Sequence, residues 1–282
     1  MGRAVPVDRR GEMIESSVMA SADDALLVHR EPPLAWVVVN RPQARNALSA
    51  AVWEGLAAAV EALGRDPEVR VIILRGAGEQ AFISGADISE FRALRADATA
   101  TAAYDARSSR AWVALFTTPQ PVIAMIHGFC FGGGVAVALA CDLRFASAEA
   151  RFAVPATRLG LSYPFESVER LVQVVGPTHA ADILLSARTL NAGEALHAGL
   201  VNRVVPPDEL EAATREYALS MARGAPLTLV AHKRAIHEAL RAPSDRDMPG
   251  LREAMRRCFD SADYQEGVAA FLEKRAPRFQ GR

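Results

Sequence analysis

Two stretches of this chain pair an apolar run with a turn of small residues, the order that chemistry at an anionic oxygen requires. The first runs Val71-Ile72-Ile73-Leu74-Arg75-Gly76 and continues through Ala81-Phe82-Ile83-Ser84-Gly85-Ala86-Asp87-Ile88. The second runs from Pro121 to Phe131 and into Gly132-Gly133-Gly134. Small residues let a ligand approach the backbone closely, and free N–H groups at a helix start stabilise a negative oxygen.

Other chemistries compete for the same residues. Gly76-Ala77-Gly78-Glu79-Gln80-Ala81 has the letter pattern of a dinucleotide fingerprint. No helix is expected to start there, and Asp97 lies in an Ala/Thr-rich polar stretch rather than at a strand end. Neither turn continues into Gly-Lys-Ser/Thr, which excludes a Walker loop. Gly128-Phe129-Cys130-Phe131-Gly132 has the form of a nucleophile elbow, with Asp208 and His232 or His237 as later partners. Both histidines fall in helical sequence with little strand nearby, so Cys130 reads better as a small buried residue under a turn.

The elements that must position these turns follow from periodicity. Leu26 to Arg30 and Leu34 to Val39 form a hairpin across Glu31-Pro32-Pro33. Ser49 caps a helix reaching Leu63, and Val69 to Leu74 is a buried strand. Ala98 to Phe116 is helical, Pro121 to Ile126 is a strand, and Val135 to Ala140 is too short and apolar to lie outside. Leu143 to Ala146, Arg151 to Val154 and Val201 to Val205 are further short strands. Helices are expected at 167–175, 178–186, 192–198, 208–223, 227–240 and 250–273. Strands alternate with helices in the first two thirds and a helical block follows, so the class is α/β. The expected division is 1–24 as a disordered extension, 25–205 as core and 206–282 as a helical subdomain.

Composition narrows the partners. The chain has 282 residues, half of them hydrophobic, which suffices for a sizeable core and excludes general disorder. Its 32 Lys+Arg against 33 Asp+Glu supply no global field for nucleic acid. No run approaches the roughly 18 apolar residues of a membrane span, and Met1 to Arg10 lacks a signal-peptide pattern. Three scattered cysteines (Cys130, Cys141, Cys258) form neither a disulfide framework nor a zinc cluster. They read as reduced thiols, and the expected location is cytoplasmic, with no metal, no nucleic acid and no membrane.

Taken with their flanks, these stretches resemble the crotonase superfamily, the enoyl-CoA hydratase/isomerase family. The resemblance runs from about residue 25 to 280. It rests on Asn40-Arg41-Pro42-Gln43-Ala44-Arg45-Asn46-Ala47-Leu48, then Ala81 to Ile88, then Pro121 to Gly134. Ala140-Cys141-Asp142-Leu143-Arg144-Phe145-Ala146, Gly199 to Val205 and Phe271-Leu272-Glu273-Lys274-Arg275 complete the order. The resemblance implies a crotonase-type spiral of ββα units with C-terminal helices for trimerisation, assembled as a homotrimer or hexamer. It implies a thioester enolate held by the backbone N–H groups of Ala86 and Gly133. It also implies an acyl-CoA substrate whose coenzyme A portion lies along Ala44-Arg45 and Ser84, Ala86, Asp87 and Ile88, with no permanently bound cofactor. Arg45 is the first candidate cation for a phosphate and Lys274 the second.

Where family hydratases carry two glutamates, this chain has Ala136 and Ala156. Methyl groups neither activate water nor protonate an enolate, so hydration by a glutamate pair is not expected. The following loop, Leu161-Ser162-Tyr163-Pro164-Phe165-Glu166, has a Pro-Phe pair similar to mitochondrial-type enoyl-CoA isomerases. Glu166 is its best-placed carboxylate and Tyr163 a candidate proton donor, although Glu166 also suits the first turn of the next helix. The leading expectation is an enzyme shifting a double bond through the enolate. The alternative is an acyl-CoA-binding protein with little or no catalysis.

Overall fold

Leu34 to Val39 pair antiparallel with Leu26 to Glu31, so strands β1 (Leu26–Glu31) and β2 (Leu34–Val39) form the expected hairpin. The computed structural model describes residues 25–90 and 96–282. The N-terminal segment expected as an extension, residues 1–24, lies outside the described residues. β2 then pairs in parallel with β3 (Val71–Gly76), which pairs with β5 (Val122–Ile126). Next come β7 (Leu143–Ser147) and β10 (Arg203–Val205), also parallel. Among the described residues the result is a six-stranded sheet in the order β1-β2-β3-β5-β7-β10.

β3, β5 and β7 are each followed by a short strand in a second sheet. β4 (Ala81–Ile83), β6 (Phe129–Phe131) and β8 (Arg151–Ala153) are parallel, and β9 (Leu190–Asn191) closes the row antiparallel. A helix then returns the chain: α2 (Ala98–Thr117) after β4, α3 (Gly133–Ala140) after β6, and α4 (Ala156–Leu159) with α5 (Phe165–Ser186) after β8. This repetition is the ββα spiral. The junction from short strand to helix recurs at the same end of each unit, which gathers the small-residue turns.

The near-continuous apolar runs of β2, β3 and β5 are explained by burial on both faces. Val37, Leu74 and Ala124 face one core with α1 (Ala50–Leu63), where Val52, Leu56 and Val60 are fully covered. Trp36, Ile73 and Met125 face a second core on the back of the sheet. That core is closed by Leu210, Ala218 and Ala222 of α7 (Leu210–Ala222). Helix α7 therefore covers the main sheet, although it lies beyond residue 205.

Boundaries moved in places. The strand expected over 69–74 spans 71–76, because Val69 N–H closes a turn onto Asp66 O. The helix expected over 250–273 is two helices, α9 (Met248–Phe259) and α10 (Ala262–Leu272). Ser261 accepts from Tyr264 N at 3.1 Å and caps the second of them. The expected break between 175 and 178 is a kink in α5, where Gly176 sits at φ 75°. The remaining helices, α6 (Ala192–His197) and α8 (Pro226–Leu240), lie where periodicity puts them.

Candidate active site

Ser84 to Asp87 are held against a strap formed by residues 40–48. Arg45 and Asn46 both take positive φ (50° and 56°) and reverse the chain. The fully buried Asn46 amide donates to Ala77 O (3.0 Å) and Ala81 O (2.7 Å), and its Oδ1 accepts from Arg41 N (3.0 Å). Leu48 N then donates to Gly85 O (2.8 Å) and Asp87 N to Leu48 O (3.0 Å). In this parallel bridge the two bonds use the peptide groups flanking Ala86, so its own N–H faces away from the strap. Among the described residues it has no acceptor.

The second turn meets the first. Gly132 (φ 53°, ψ −115°) caps α3, and its carbonyl accepts from Val135 N and Ala136 N. Among the described residues Gly133 N has no acceptor, as expected for a first helical N–H. A side-chain carbon on Gly133 would lie 3.7 Å from Ala86 N and 3.1 Å from Leu48 Cδ1. One on Gly134 would lie 2.3 Å from Ile83 O, so α3 can sit this close to β4 only without a side chain there. The structure thus brings Ala86 and Gly133 together, two free donors at the start of a helix, an arrangement able to hold one anionic oxygen.

Asp87 fixes the neighbouring loop. Its Oδ2 accepts from the Arg41 guanidinium at 2.8 Å, and its Oδ1 accepts from the Ser89 hydroxyl at 2.6 Å. The Ser89 hydroxyl and the Arg41 guanidinium hold the Asp87 carboxyl below the usual carboxylate range. A carboxyl depressed in the folded state stabilises the fold above its unfolded value and loses that contribution as pH falls through its folded one. The stability difference between wild type and Asp87→Asn is therefore expected to be constant above about pH 5 and to shrink below about pH 4. Urea titrations at stepped pH measure it, and a gap that widens on acidification would contradict the assignment.

The other candidates scatter more. Ser84 N donates to Arg45 O (3.1 Å), which ties Ala44-Arg45 to the Ser84–Ile88 loop. Arg45 is exposed, with its guanidinium 5.6 Å from the centre of the Phe129 ring. Ile88 is exposed at 62%. Lys274 follows the end of α10 on the C-terminal segment, and among the described residues no contact joins it to these loops. Near that segment lies a cavity of about 820 Å³ lined by Asp263, Glu266, Arg275 and Arg278, charges that largely satisfy one another and the tail backbone.

Beside Gly132 opens a small apolar cavity of about 10 Å³, lined by Val135, Ala136, Val154, Tyr163, Ser167 and Leu171 among others. Ala136 forms part of its wall and Ala156 is buried in the adjoining core, so neither offers an acid. Glu166 sits in the first turn of α5, exposed to solvent, while Ser167 and Val168 after it face the cavity.

Cys130 is completely buried on β6, and burial pushes its thiol far above the usual range. That removes it as a nucleophile. His237 stacks on Phe116 with ring centroids 4.0 Å apart, while His232 and Asp208 are exposed and the thiol is not, so among the described residues no triad forms around it. His127 is buried beside the turn, and desolvation lowers its pKa. Asp142 accepts from Val122 N and Lys233 Nζ, both at 2.7 Å, and is structural. Two contributors escaped the sequence reading, Arg41 and Asn46. The signal for Asn46 was its type, since Asn tolerates positive φ better than other residues with side chains.

A family model described as enoyl-CoA hydratase/isomerase matches residues 30–282. The chain is 34% identical over 250 residues to a short-chain-enoyl-CoA hydratase of Clostridium acetobutylicum, covering 89% of this chain and 95% of that one. It is 33% identical to a 2,3-dehydroadipyl-CoA hydratase of Escherichia coli, covering 91% and 99%. Among solved structures it is similar to an enoyl-CoA hydratase/carnithine racemase from Magnetospirillum magneticum, with a TM-score of 0.88 and 40% identity over 93% of this chain and 97% of that one.

Proposed function

We propose that this chain, which belongs to the enoyl-CoA hydratase/isomerase family and is one of its acyl-CoA enzymes, holds a thioester enolate between the backbone N–H groups of Ala86 and Gly133. The observation that carries this reading is the approach of Gly133 to Ala86 N while both N–H groups lack acceptors among the described residues. Donors already aimed at the place where charge develops lower the barrier without reorganising. The coenzyme A portion runs along Ala44-Arg45 and the Ser84–Ile88 loop, with the exposed Arg45 guanidinium as first cation for a phosphate and Lys274 as second. Trimer contacts fall to the helices after about residue 225, where Met255, Phe259, Phe271 and Leu272 expose large apolar surface. Among the described residues no helix is long and apolar enough to cross a membrane.

The reaction that best fits this site is double-bond isomerisation. Hydration by two acids would need carboxylates where Ala136 and Ala156 stand, although the named relatives are hydratases. Isomerisation needs the oxyanion donors and one base, and Glu166, the residue before the cavity-lining Ser167, is that base. Glu166→Gln is expected to slow conversion of a 3-enoyl-CoA to its 2-enoyl isomer by about 10²-fold or more. Unchanged turnover on both 2-enoyl and 3-enoyl thioesters would remove Glu166 from the mechanism.

A second reading is favoured by a specific observation. The Glu166 carboxylate is solvent-exposed, and the cavity walls carry no carboxylate. On this reading the protein binds acyl-CoA with little or no turnover. Calorimetric acyl-CoA binding without spectral change in any enoyl-CoA after long incubation would support it over the enzyme.

A further inference from the structure

The apolar cavity next to the oxyanion turn has one polar group of unusual placement. Of its lining side chains only Tyr163 and Ser167 are polar. The Tyr163 hydroxyl lies so close to Gly132 that a side-chain carbon there would be 3.0 Å from Oη. Gly132 also adopts φ 53°, so this position lacks a side chain for two reasons, its backbone conformation and the hydroxyl above it. Gly132 supplies the carbonyl half of the peptide whose N–H belongs to Gly133. The phenol therefore stands over the same peptide that presents an oxyanion donor.

Among the described residues Tyr163 Oη makes no hydrogen bond to a protein acceptor. The nearby Tyr104 hydroxyl is engaged by Trp53 Nε1 at 3.1 Å. The loop is not slack, since Leu161 N bonds Ala156 O and Ser167 N bonds Pro164 O on either side. Burial, reinforced by Tyr104 and Cys130, pushes the Tyr163 phenol up to about 12, so it remains protonated across the physiological range. A phenol donor with no partner among the described residues is free to bond an acceptor that enters beside Gly132.

We propose that Tyr163 Oη donates a third hydrogen bond to the thioester enolate, beside the backbone N–H groups of Ala86 and Gly133. The proposal rests on the enolate reading above and adds to it a side-chain donor. Tyr163 serves as a donor and not as the base, because the base must lose a proton that this phenol retains. With Ala136 and Ala156 unable to donate, the phenol is the side-chain donor set against Gly132, where a side-chain carbon would lie 3.0 Å from Oη. A hydrogen bond of this kind strengthens as charge moves onto the oxygen, so its effect falls on enolisation more than on ground-state binding.

The test compares full-length wild type and Tyr163→Phe with two probes. Butyryl-CoA affinity, measured by calorimetry, reports the coenzyme A and acyl contacts. The ultraviolet absorbance of bound acetoacetyl-CoA reports its enolate fraction. Expected is unchanged butyryl-CoA affinity in the variant, with the enolate-to-neutral ratio of bound acetoacetyl-CoA lowered by at least about tenfold. An unchanged ratio in Tyr163→Phe would overturn the role of Tyr163 while leaving Ala86 and Gly133 as the donors. A parallel loss of butyryl-CoA affinity and of the ratio would also overturn it, since Tyr163 would then be shaping the pocket. If wild type itself binds butyryl-CoA but never raises the enolate fraction, the enolate reading fails and this inference fails with it.

Discussion

Gly133→Ala is expected to lower kcat/KM on acyl-CoA thioesters by roughly 10²–10³-fold, the cost of losing one oxyanion donor. The added methyl would stand 3.7 Å from Ala86 N, in the space where an oxygen must come within about 3 Å of both donors. The N–H of residue 133 would still exist and the dipole of α3 would still point at the site. What is lost is access. The fold is expected to survive, because the nearest atom to the new methyl is Leu48 Cδ1 at 3.1 Å, the tip of a flexible side chain. Exchange of the C2 protons of a saturated acyl-CoA in heavy water checks the prediction without assuming which product forms, and circular dichroism checks the fold. Wild-type exchange rates in a folded Gly133→Ala protein would show that the enolate is held somewhere else.

The two turns were legible because small side chains are the chemical requirement itself. A strand followed by Gly-Gly-Gly has few physical uses, and the structure shows each glycine answering one: Gly132 a positive φ, Gly133 the opening to Ala86, Gly134 contact with Ile83 O. The main sheet was legible too, since β2, β3 and β5 bury both faces and read as near-continuous apolar runs. Periodicity could not divide α9 from α10, because the apolar pattern runs on through Asp260-Ser261 and the break depends on a hydroxyl turning back as a cap. Nor could spacing show that Arg41 would meet Asp87 across 46 residues, a pairing created by the strap folding over the loop. For Glu166 the sequence shows a carboxylate suited to the first turn of the next helix, but not that the start of α5 leaves it exposed to solvent while Ser167 and Val168 face the cavity.

Asn46→Ala is expected to destabilise the protein by about 3–5 kcal/mol, a large share of the ~5–15 kcal/mol that holds a typical domain together. The amide of Asn46 is fully buried, and its loss leaves Arg41 N, Ala77 O and Ala81 O each without that partner. A buried backbone group deprived of its bond costs about 1–3 kcal/mol. Alanine at φ 56° adds about 1 kcal/mol of strain that asparagine partly avoids. No other residue replaces the group easily. Aspartate would turn an anionic oxygen toward two carbonyls, and a longer side chain would collide with the strand, since even the existing Nδ2 lies 2.4 Å from where a Gly76 side chain would begin. Gly76 and Asn46 are thus one device: the strand gives up a side chain so that the amide can cross-link the strap to the segment leading into Ser84–Asp87. Comparing denaturation midpoints for Asn46→Ala and Asn46→Gly separates the two terms, with glycine expected to recover about 1 kcal/mol by removing the strain while leaving the bonds unmade. A loss below about 1 kcal/mol in Asn46→Ala would mean that water replaces the amide, and that the Leu48–Ala86 bridge, the Ser84–Arg45 bond and the Arg41–Asp87 pair suffice to hold the strap to the loop.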